Sequence, residues 1–307
     1  MIDMTPTHSL PPLSTASTPG AARPIPRKHP WRWVGGMLLI LCAAAFLRLL
    51  IFNENMQWPI VADYLFDHEI LWGLVRTLVL TGLAMVIGII VGMLLAIMRL
   101  SDNFVFQAAS WGWIWFFRGV PPLVQLIFWY NLALLIPRVS VGLPFGPELV
   151  SWDTNLLITP FSAAILGLSL TESAYAAEMI RAGIQAIPSG QIEAAASIGM
   201  TRPQALRRII LPQALRILIP PIGNDAISML KFTSLVSVLA LPDLLYSAQM
   251  IYSRTYQTIP LLIVVTLWYL VLTTVFTLLE HQIEHTVAIG RRPRLKVARH
   301  SWWRLRS

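Results

Sequence analysis

Long hydrophobic stretches without charged side chains alternate with short polar segments along most of the chain. The clearest stretch, Thr77–Met98, has 22 uncharged residues, enough for a helix to cross a hydrocarbon core of about 30 Å at about 1.5 Å per residue. Small residues recur in it at every fourth position, namely Ala84, Gly88, Gly92 and Ala96. Because small residues let a second helix approach closely, this stretch predicts a membrane span packed inside a bundle.

Five further stretches are hydrophobic enough to be predicted as spans: 34–52, 122–136, 155–177, 213–241 and 260–279. Two adjacent prolines, Pro121 and Pro122, interrupt the long apolar segment 104–136. Since proline breaks a helix interior, we predict an interfacial or re-entrant helix over 104–117 and a span from Pro122 onward. Backbone groups in lipid must be paired internally, which leaves helices as the spanning structure. The pattern therefore predicts an all-α polytopic bundle of about six transmembrane helices.

Composition supports this class, because 56% of the 307 residues are hydrophobic and only 12% are charged, against about 25% charged in soluble domains. That balance excludes an ordinary cytosolic enzyme. The net charge of +8 could indicate nucleic-acid binding, but 18 of the 23 Lys and Arg residues fall in the predicted cytoplasmic tails and loops and only two in outer loops. This bias is typical of membrane proteins. It predicts that both termini are cytoplasmic, and it excludes nucleic acid as a partner.

The ends of the chain differ from its middle. Residues 1–33 are rich in proline and predict a disordered cytoplasmic tail. Residues 34–53 predict an extra N-terminal transmembrane helix, an uncleaved anchor, because the apolar run continues past a possible cleavage site at Ala43–Ala45. A transport domain is predicted over 69–285, and a basic cytoplasmic tail over 286–307. The single cysteine, Cys42, excludes an intrachain disulfide and a cysteine-based metal cluster.

The polar segment 181–212 is the most informative part of the chain. It is too polar to cross the membrane, yet Glu193–Ala196 contains good helix formers. Gly199 is placed to end this first helix in a left-handed conformation. We call the pair of short helices predicted here the coupling loop. One interpretation is an ordinary helical loop, and the other is a rigid knob on the cytoplasmic face.

The second helix of the coupling loop has its own sequence signals. Thr201 and Gln204 predict a capping box at its start. We expect the helix to run through Ile210 and to end or kink at Pro212.

The coupling loop resembles a motif of binding-protein-dependent ABC importer permeases: E-A-A, three residues, Gly, nine residues, then I-x-L-P. The matching residues are Glu193, Ala194, Ala195, Gly199, Ile209, Leu211 and Pro212. Four other segments resemble the polar amino-acid permeases of that family: 117–125, 173–181, 188–191 and 230–238. Phe232 departs from the pattern, because Asp or Asn is frequent there.

The resemblance implies a type I ABC importer permease fold and a membrane permease subunit of an ATP-driven importer of polar amino acids. It further implies a second permease chain (identical or similar), two ABC ATPase subunits, a solute-binding protein, and a place in the bacterial cytoplasmic (inner) membrane. The residues expected to dock the ATPase are Glu193, Ala194, Ala195, Gly199, Arg202 and Arg207. The chain has no G-x-x-x-x-G-K-[ST] loop, so we expect ATP hydrolysis in a partner and no enzymatic activity, cofactor or metal here.

Polar and ionisable residues within predicted spans are candidates for the translocation path, because such groups are costly in lipid. They are Gln125, Glu172, Tyr175, Asn224, Lys231, Thr233 and Ser234. The alternative for Glu172 and Lys231 is that they only tie helices together. We interpret Arg118 as an anchor at the cytoplasmic interface rather than as part of a gate.

Two other functions were weighed. An ion-gradient-driven secondary amino-acid transporter predicts an inverted repeat and unwound half-helices near mid-membrane, and the sequence contains no second copy of any hydropathy block. A membrane-embedded enzyme needs a convergent nucleophile, acid and base, and the spans contain no such arrangement. His281 and His285 share a helix face, but without an H-E-x-x-H pattern we interpret them as surface residues.

Overall fold

The computed structural model describes residues 30–142 and 148–288. The predicted tails, 1–33 and 286–307, therefore lie mostly outside the described residues, and the parts that are described, 30–33 and 286–288, are helical. The described α-helices are α1 (Pro30–Phe52), α2 (Trp58–Leu65), α3 (His68–Arg99), α4 (Phe104–Gly119), α5 (Pro122–Tyr130), α6 (Thr154–Leu157), α7 (Pro160–Gln185), α8 (Ser189–Ser197), α9 (Arg202–Ala205), α10 (Leu211–Phe232), α11 (Leu244–Thr255) and α12 (Thr258–Ala288). The chain divides into two units, one containing α1 up to Ile51 and the other containing the described residues from Phe52 onward.

The predicted fold class is confirmed, since the described residues are almost entirely helical. The one exception was not predicted: β1 (Arg138–Gly142) and β2 (Glu148–Asp153) form an antiparallel hairpin after α5.

Helices α3 and α7 form the centre of the bundle, and they pack as the small residues of α3 predict. A Cβ atom on Gly92 would lie 2.6 Å from the Cβ of Ala176, and one on Gly88 would overlap the side chain of Glu172. From the first contact to the second, the residue numbers rise by four on both helices (88 to 92 and 172 to 176), so α3 and α7 run in the same direction. Glycine is required at these two positions because the helices approach too closely for a larger residue.

Helices α4 and α5 both pack against α7, and the prediction of an interfacial or re-entrant helix followed by a span stays a prediction. The indole N–H of Trp113 in α4 donates to Ser173 Oγ over 3.0 Å, and Leu126 in α5 lies against Gly167. From α4 to α5 the residue numbers rise, while those of the contacted residues on α7 fall, so α4 and α5 run antiparallel to α7. The prediction that the span reaches Ile136 is wrong, because α5 ends at Tyr130 and a 3₁₀ turn and the hairpin follow.

Pro212 does not end the second helix of the coupling loop, which corrects one of the two predicted outcomes; the other, a kink at Pro212, stays a prediction. A π-helical turn over Leu206–Ile210 connects α9 to α10, and the N–H of Leu211 donates to the carbonyl of Leu206. Pro212 then falls in the first turn of α10, where its missing N–H is tolerated. The side-chain amide of Gln213 donates to the carbonyl of Ile209 over 2.9 Å.

Helix α10 returns antiparallel to α7, with Leu218 against Gly183 near the coupling loop. It continues into a 3₁₀ helix over Thr233–Leu239, and Ala240 in a left-handed conformation (φ 55°) ends that segment. These elements account for the predicted span 213–241.

By length and apolarity, three described helices could cross a membrane: Trp33–Phe52, His68–Arg99 and Thr258–Thr286. A fourth candidate is the pair Pro203–Leu239 and Leu244–Thr255, bent by 43°. The predicted spans in α5 and α7 do not qualify. Helix α5 has only nine residues, and α7 contains buried Ser, Thr and Glu residues that contact protein and therefore need not be apolar.

Candidate functional site in the coupling loop and the polar layer

The end of α8 in the coupling loop has the geometry that the sequence predicts. Gly199 has φ +76°, the N–H of Met200 donates to the carbonyl of Ala195, and the N–H of Gly199 donates to that of Ala196, both over 3.0 Å. This pair of bonds is the Schellman arrangement, which satisfies carbonyls at a helix end. The turn between α8 and α9 is therefore fixed by its own backbone.

The start of α9 is capped as predicted on one side. The backbone N–H of Thr201 donates to Gln204 Oε1 over 3.0 Å, the contribution that the glutamine makes in a capping box. Ala195 and Ala205 are buried, so small side chains occupy the inner side of both short helices.

Most predicted docking residues lie on the outer surface of the coupling loop. Glu193, Ala194, Gly199 and Arg207 are exposed, while Ala195 is buried; the side chain of Arg202 lies outside the described residues. Large apolar side chains are exposed beside them, namely Ile192, Ile198 and Leu206. A hollow of about 570 Å³ also opens on this surface, lined by Ile192, Ala196, Met200, Pro203, Ala205, Leu206 and Ile210. Apolar surface rimmed by charges is typical of a protein-binding face.

A second group of polar residues lies halfway along α7, and we call it the polar layer: Gln125, Thr171, Glu172, Ser173, Tyr175 and the residues that contact them. Gln125 is 3% exposed. Its amide donates to the carbonyls of Phe117 (3.1 Å) and Val120 (2.9 Å), and its carbonyl oxygen accepts from Thr171 Oγ1 (3.1 Å).

Gln125 thus holds the break between α4 and α5. Pro121 has no N–H with which to pair the carbonyl of Phe117, and the amide of Gln125 supplies the missing donor. The structure therefore places Gln125 in a helix-to-helix contact rather than on an open surface.

Arg118 also contacts the polar layer, and its interpretation as a cytoplasmic interface anchor stays a prediction. Its guanidinium lies 5.3 Å from the centre of the Tyr175 ring, a cation–π distance. Tyr175 is ten residues from Gln185 at the end of α7, or about 15 Å along the helix. Both Arg118 and Tyr175 are exposed on the isolated chain.

Glu172 is the most unusual member of the layer. It is 1% exposed and its carboxyl group faces that of Asp225 on α10. One oxygen of each carboxyl group and the hydroxyl of Ser169 are buried without a hydrogen-bond partner among the described residues. Asp225 was not among the predicted site residues, although it is the only acidic residue of 213–241, and that was the available signal.

The four predicted residues in and after α10 separate into two environments. Asn224 and Lys231 are exposed and share one helix face. The amide of Asn224 donates to the carbonyl of Pro220 over 3.4 Å. Thr233 is fully buried and donates to the carbonyl of Leu230, while Ser234 donates to that of Lys231, each over 2.7 Å. The structure therefore does not bring all seven predicted path residues together.

The proteins to which this chain is similar are membrane components of transport systems. The family described as "Binding-protein-dependent transport system inner membrane component" matches residues 70–288. The arginine transport system permease protein ArgU of Corynebacterium glutamicum is 40% identical over 274 residues, covering 89% of this chain and 85% of the relative. The histidine/lysine/arginine/ornithine transport system permease protein HisQ of Escherichia coli is 34% identical, covering 74% of this chain and 96% of the relative.

Solved structures give the same result. The crystal structure of an amino acid ABC transporter with histidines contains a chain that is 36% identical, with a TM-score of 0.62, covering 71% of this chain and 94% of that one. The MetNI methionine ABC transporter, at 19% identity and a TM-score of 0.52, covers 72% of this chain and 99% of that one, and it supports the fold alone.

Proposed function

The chain belongs to the family of binding-protein-dependent transport system inner membrane components, and we propose that it is the permease subunit of an ATP-driven importer of polar amino acids. The relatives above are named for amino-acid transport. The observation that carries the proposal is the coupling loop, a rigid two-helix surface with the complete E-A-A motif.

The family favours this function over an ion-gradient-driven secondary transporter. Broken helices alone do not separate the two, because the chain has breaks at 120–121 and at 240–243, as many secondary transporters do. The coupling loop separates them, since a secondary transporter needs no ATPase-docking surface.

The ATPase is expected in separate subunits, two per complex, docked on the coupling loops of two permease chains. Glu193 and Arg207 are exposed there and would pair with polar groups of the ATPase, with Ala194 and Gly199 beside them. Ala195 is buried, so its role would be to keep α8 close to the rest of the loop. A rigid helix pair of this kind can pass a rigid-body shift to α7 and α10, which adjoin it in the chain.

A second permease chain would cover the exposed part of the polar layer. A charged guanidinium and ammonium are costly against lipid, so Arg118, Tyr175, Asn224 and Lys231 would face the second copy or a water-filled path between the two chains. Gln125 and Thr233 would support that path from behind, and Ser234 would adjoin it.

We place the transport domain over 69–285, with the extra helix 34–53 before it and tails at both ends. The positive-inside bias supports a cytoplasmic position for both termini and for the coupling loop, in the inner membrane of a bacterium. A solute-binding protein would then deliver the amino acid to the opposite face, which includes residues 54–69.

Affinity purification of the full tagged chain in mild detergent tests this proposal. An ATPase subunit should co-elute, and the reconstituted complex should take up amino acids only when ATP is supplied. Uptake that persists without ATP while the ion gradient is clamped would contradict it and favour the secondary transporter.

A further inference from the structure

The chain break that precedes α11 is held by α3. The backbone N–H of Leu244 donates to Thr77 Oγ1 over 3.1 Å, and the guanidinium of Arg76 donates to the carbonyl of Pro242 over 3.2 Å. The helical path bends by 43° at this break. The start of α11 is therefore fixed to α3, whereas the 3₁₀ helix before the break continues from α10, which adjoins the coupling loop.

Asp243 lies at this break and is 0% exposed. Its Oδ1 accepts from the backbone N–H of Tyr246 over 2.8 Å and so caps α11. Its Oδ2 is buried and has no hydrogen-bond partner in the part of the chain that the structure describes. No ion pair found in that part includes Asp243. Since buried polar atoms are normally paired, this oxygen requires an explanation.

The hydroxyl of Tyr269 on α12 is a second buried group without a partner among the described residues, and it lies beside the carboxyl group of Asp243. The hydroxyls of Thr233 and Ser234 are also near it, but each already donates to a carbonyl of α10 over 2.7 Å. A phenolic hydroxyl can donate and a carboxylate oxygen accepts. The two unsatisfied groups are therefore complementary, and a small shift of α12 against the start of α11 would join them.

We propose that Tyr269 and Asp243 form a switch pair, whose hydrogen bond is open in this conformation and closes in the other conformation of the transport cycle. The tyrosine hydroxyl then donates to Oδ2 of the carboxylate. The proposal rests on the proposed function, because ATPase subunits supply the shift. A rigid-body shift that begins at the coupling loop passes along α10 to the break, where it meets the fixed start of α11. Closing the bond there satisfies both buried groups and stabilises the shifted arrangement.

Tyr269→Phe separates a switch pair from a purely structural contact. The hydroxyl makes no bond in this conformation, so its removal should leave the melting temperature of the chain purified with its co-eluting ATPase unchanged. The closed bond is lost, so ATP-driven amino-acid uptake by the reconstituted complex should fall at least about tenfold. The fall should appear in the maximal rate and not in the amino-acid concentration that gives half of it.

Tyr252→Phe is the matched control. Tyr252 packs against the same apolar cluster as Tyr269, but it lies nine residues beyond Asp243, or about 13 Å along α11, and the variant should keep wild-type uptake.

Asp243→Asn tests the other member of the switch pair. Asparagine caps a helix as well as aspartate does, but its amide nitrogen donates and does not accept, so the charged acceptor is lost and uptake should fall. Because both side chains act through one bond, the double variant with Tyr269→Phe should be no slower than the slower single variant.

Three results would overturn the switch pair and leave the importer intact. The first is wild-type uptake in Tyr269→Phe. The second is a lower melting temperature in Tyr269→Phe, because the hydroxyl would then be bonded in this conformation. The third is a double variant whose loss of uptake equals the product of the two single losses. Absence of ATP-driven uptake of any amino acid by the wild type would overturn both the switch pair and the proposed function.

Discussion

The coupling loop and the polar layer are built from different kinds of interaction. In the coupling loop, the decisive bonds join residues three to five positions apart, such as Thr201 to Gln204 and Met200 to Ala195. In the polar layer, the bond between Gln125 and Thr171 joins positions 46 residues apart, and that between Trp113 and Ser173 joins positions 60 apart. The loop exposes its charged side chains, whereas the layer buries most of its polar groups. A disruptive substitution in the coupling loop should therefore affect only the loop, whereas one in the polar layer should destabilise the helix bundle.

The largest effect is expected where the layer meets the α3–α7 contact. Gly88→Val would place side-chain atoms on Glu172, and overpacking of this kind costs about 1–3 kcal/mol or more. The yield and thermal stability of the detergent-purified chain should fall sharply. Gly82→Val on the same helix is the control, because no atom lies near its Cβ position. Equal stability of the two variants would mean that α3 and α7 do not approach as described.

Gln125→Leu should cost less. Leucine keeps much of the side-chain volume. It removes the hydrogen bonds of Gln125 to the carbonyls of Phe117 and Val120 and to the hydroxyl of Thr171. A buried group left unsatisfied costs about 1–3 kcal/mol, so the melting temperature of the purified chain should drop. Gln282→Leu, on the exposed surface of α12, should leave it unchanged. A wild-type melting temperature in Gln125→Leu would show that the break between α4 and α5 needs no side-chain support.

Gly199→Val should act only on the coupling loop. A β-branched residue in the left-handed region is penalised by about 1–2 kcal/mol, which would distort the end of α8. Membrane abundance should stay normal, while less ATPase co-purifies. Gly190→Val is the control in the same loop, with open space around it and an ordinary φ. Reduced membrane abundance in Gly199→Val would contradict the local character of the loop.

The smallest effect on folding is expected from Glu193→Ala. The side chain is exposed and alanine is the best helix former, so the melting temperature should not change. ATPase co-purification and ATP-driven uptake should decrease, because an interfacial contact is lost. Full ATPase association in both Glu193→Ala and Gly199→Val would contradict the proposal that the coupling loop docks the ATPase.

The same contrast explains what the sequence could predict. Gly199 and Gln204 act on residues beside them, so the loop geometry could be inferred from spacing alone. The small residues of α3 predicted close packing, but not which helix would pack there. The contact of Arg118 with Tyr175 could not be inferred, because it depends on α4 packing against α7. The pairing of Glu172 with Asp225 likewise depends on the register between α7 and α10, which no local signal sets.

The contact between Gly88 and Glu172 has a consequence for how this sequence can vary. The two residues share one volume, since Glu172 occupies the space that a side chain at position 88 would need. Substitutions at the two positions should therefore be coupled, so that alanine or serine at 88 is tolerated only with a smaller residue at 172. A chain that makes this exchange would also lose the buried carboxyl group of Glu172. The packing of α3 against α7 and the polar groups of the layer would then change together.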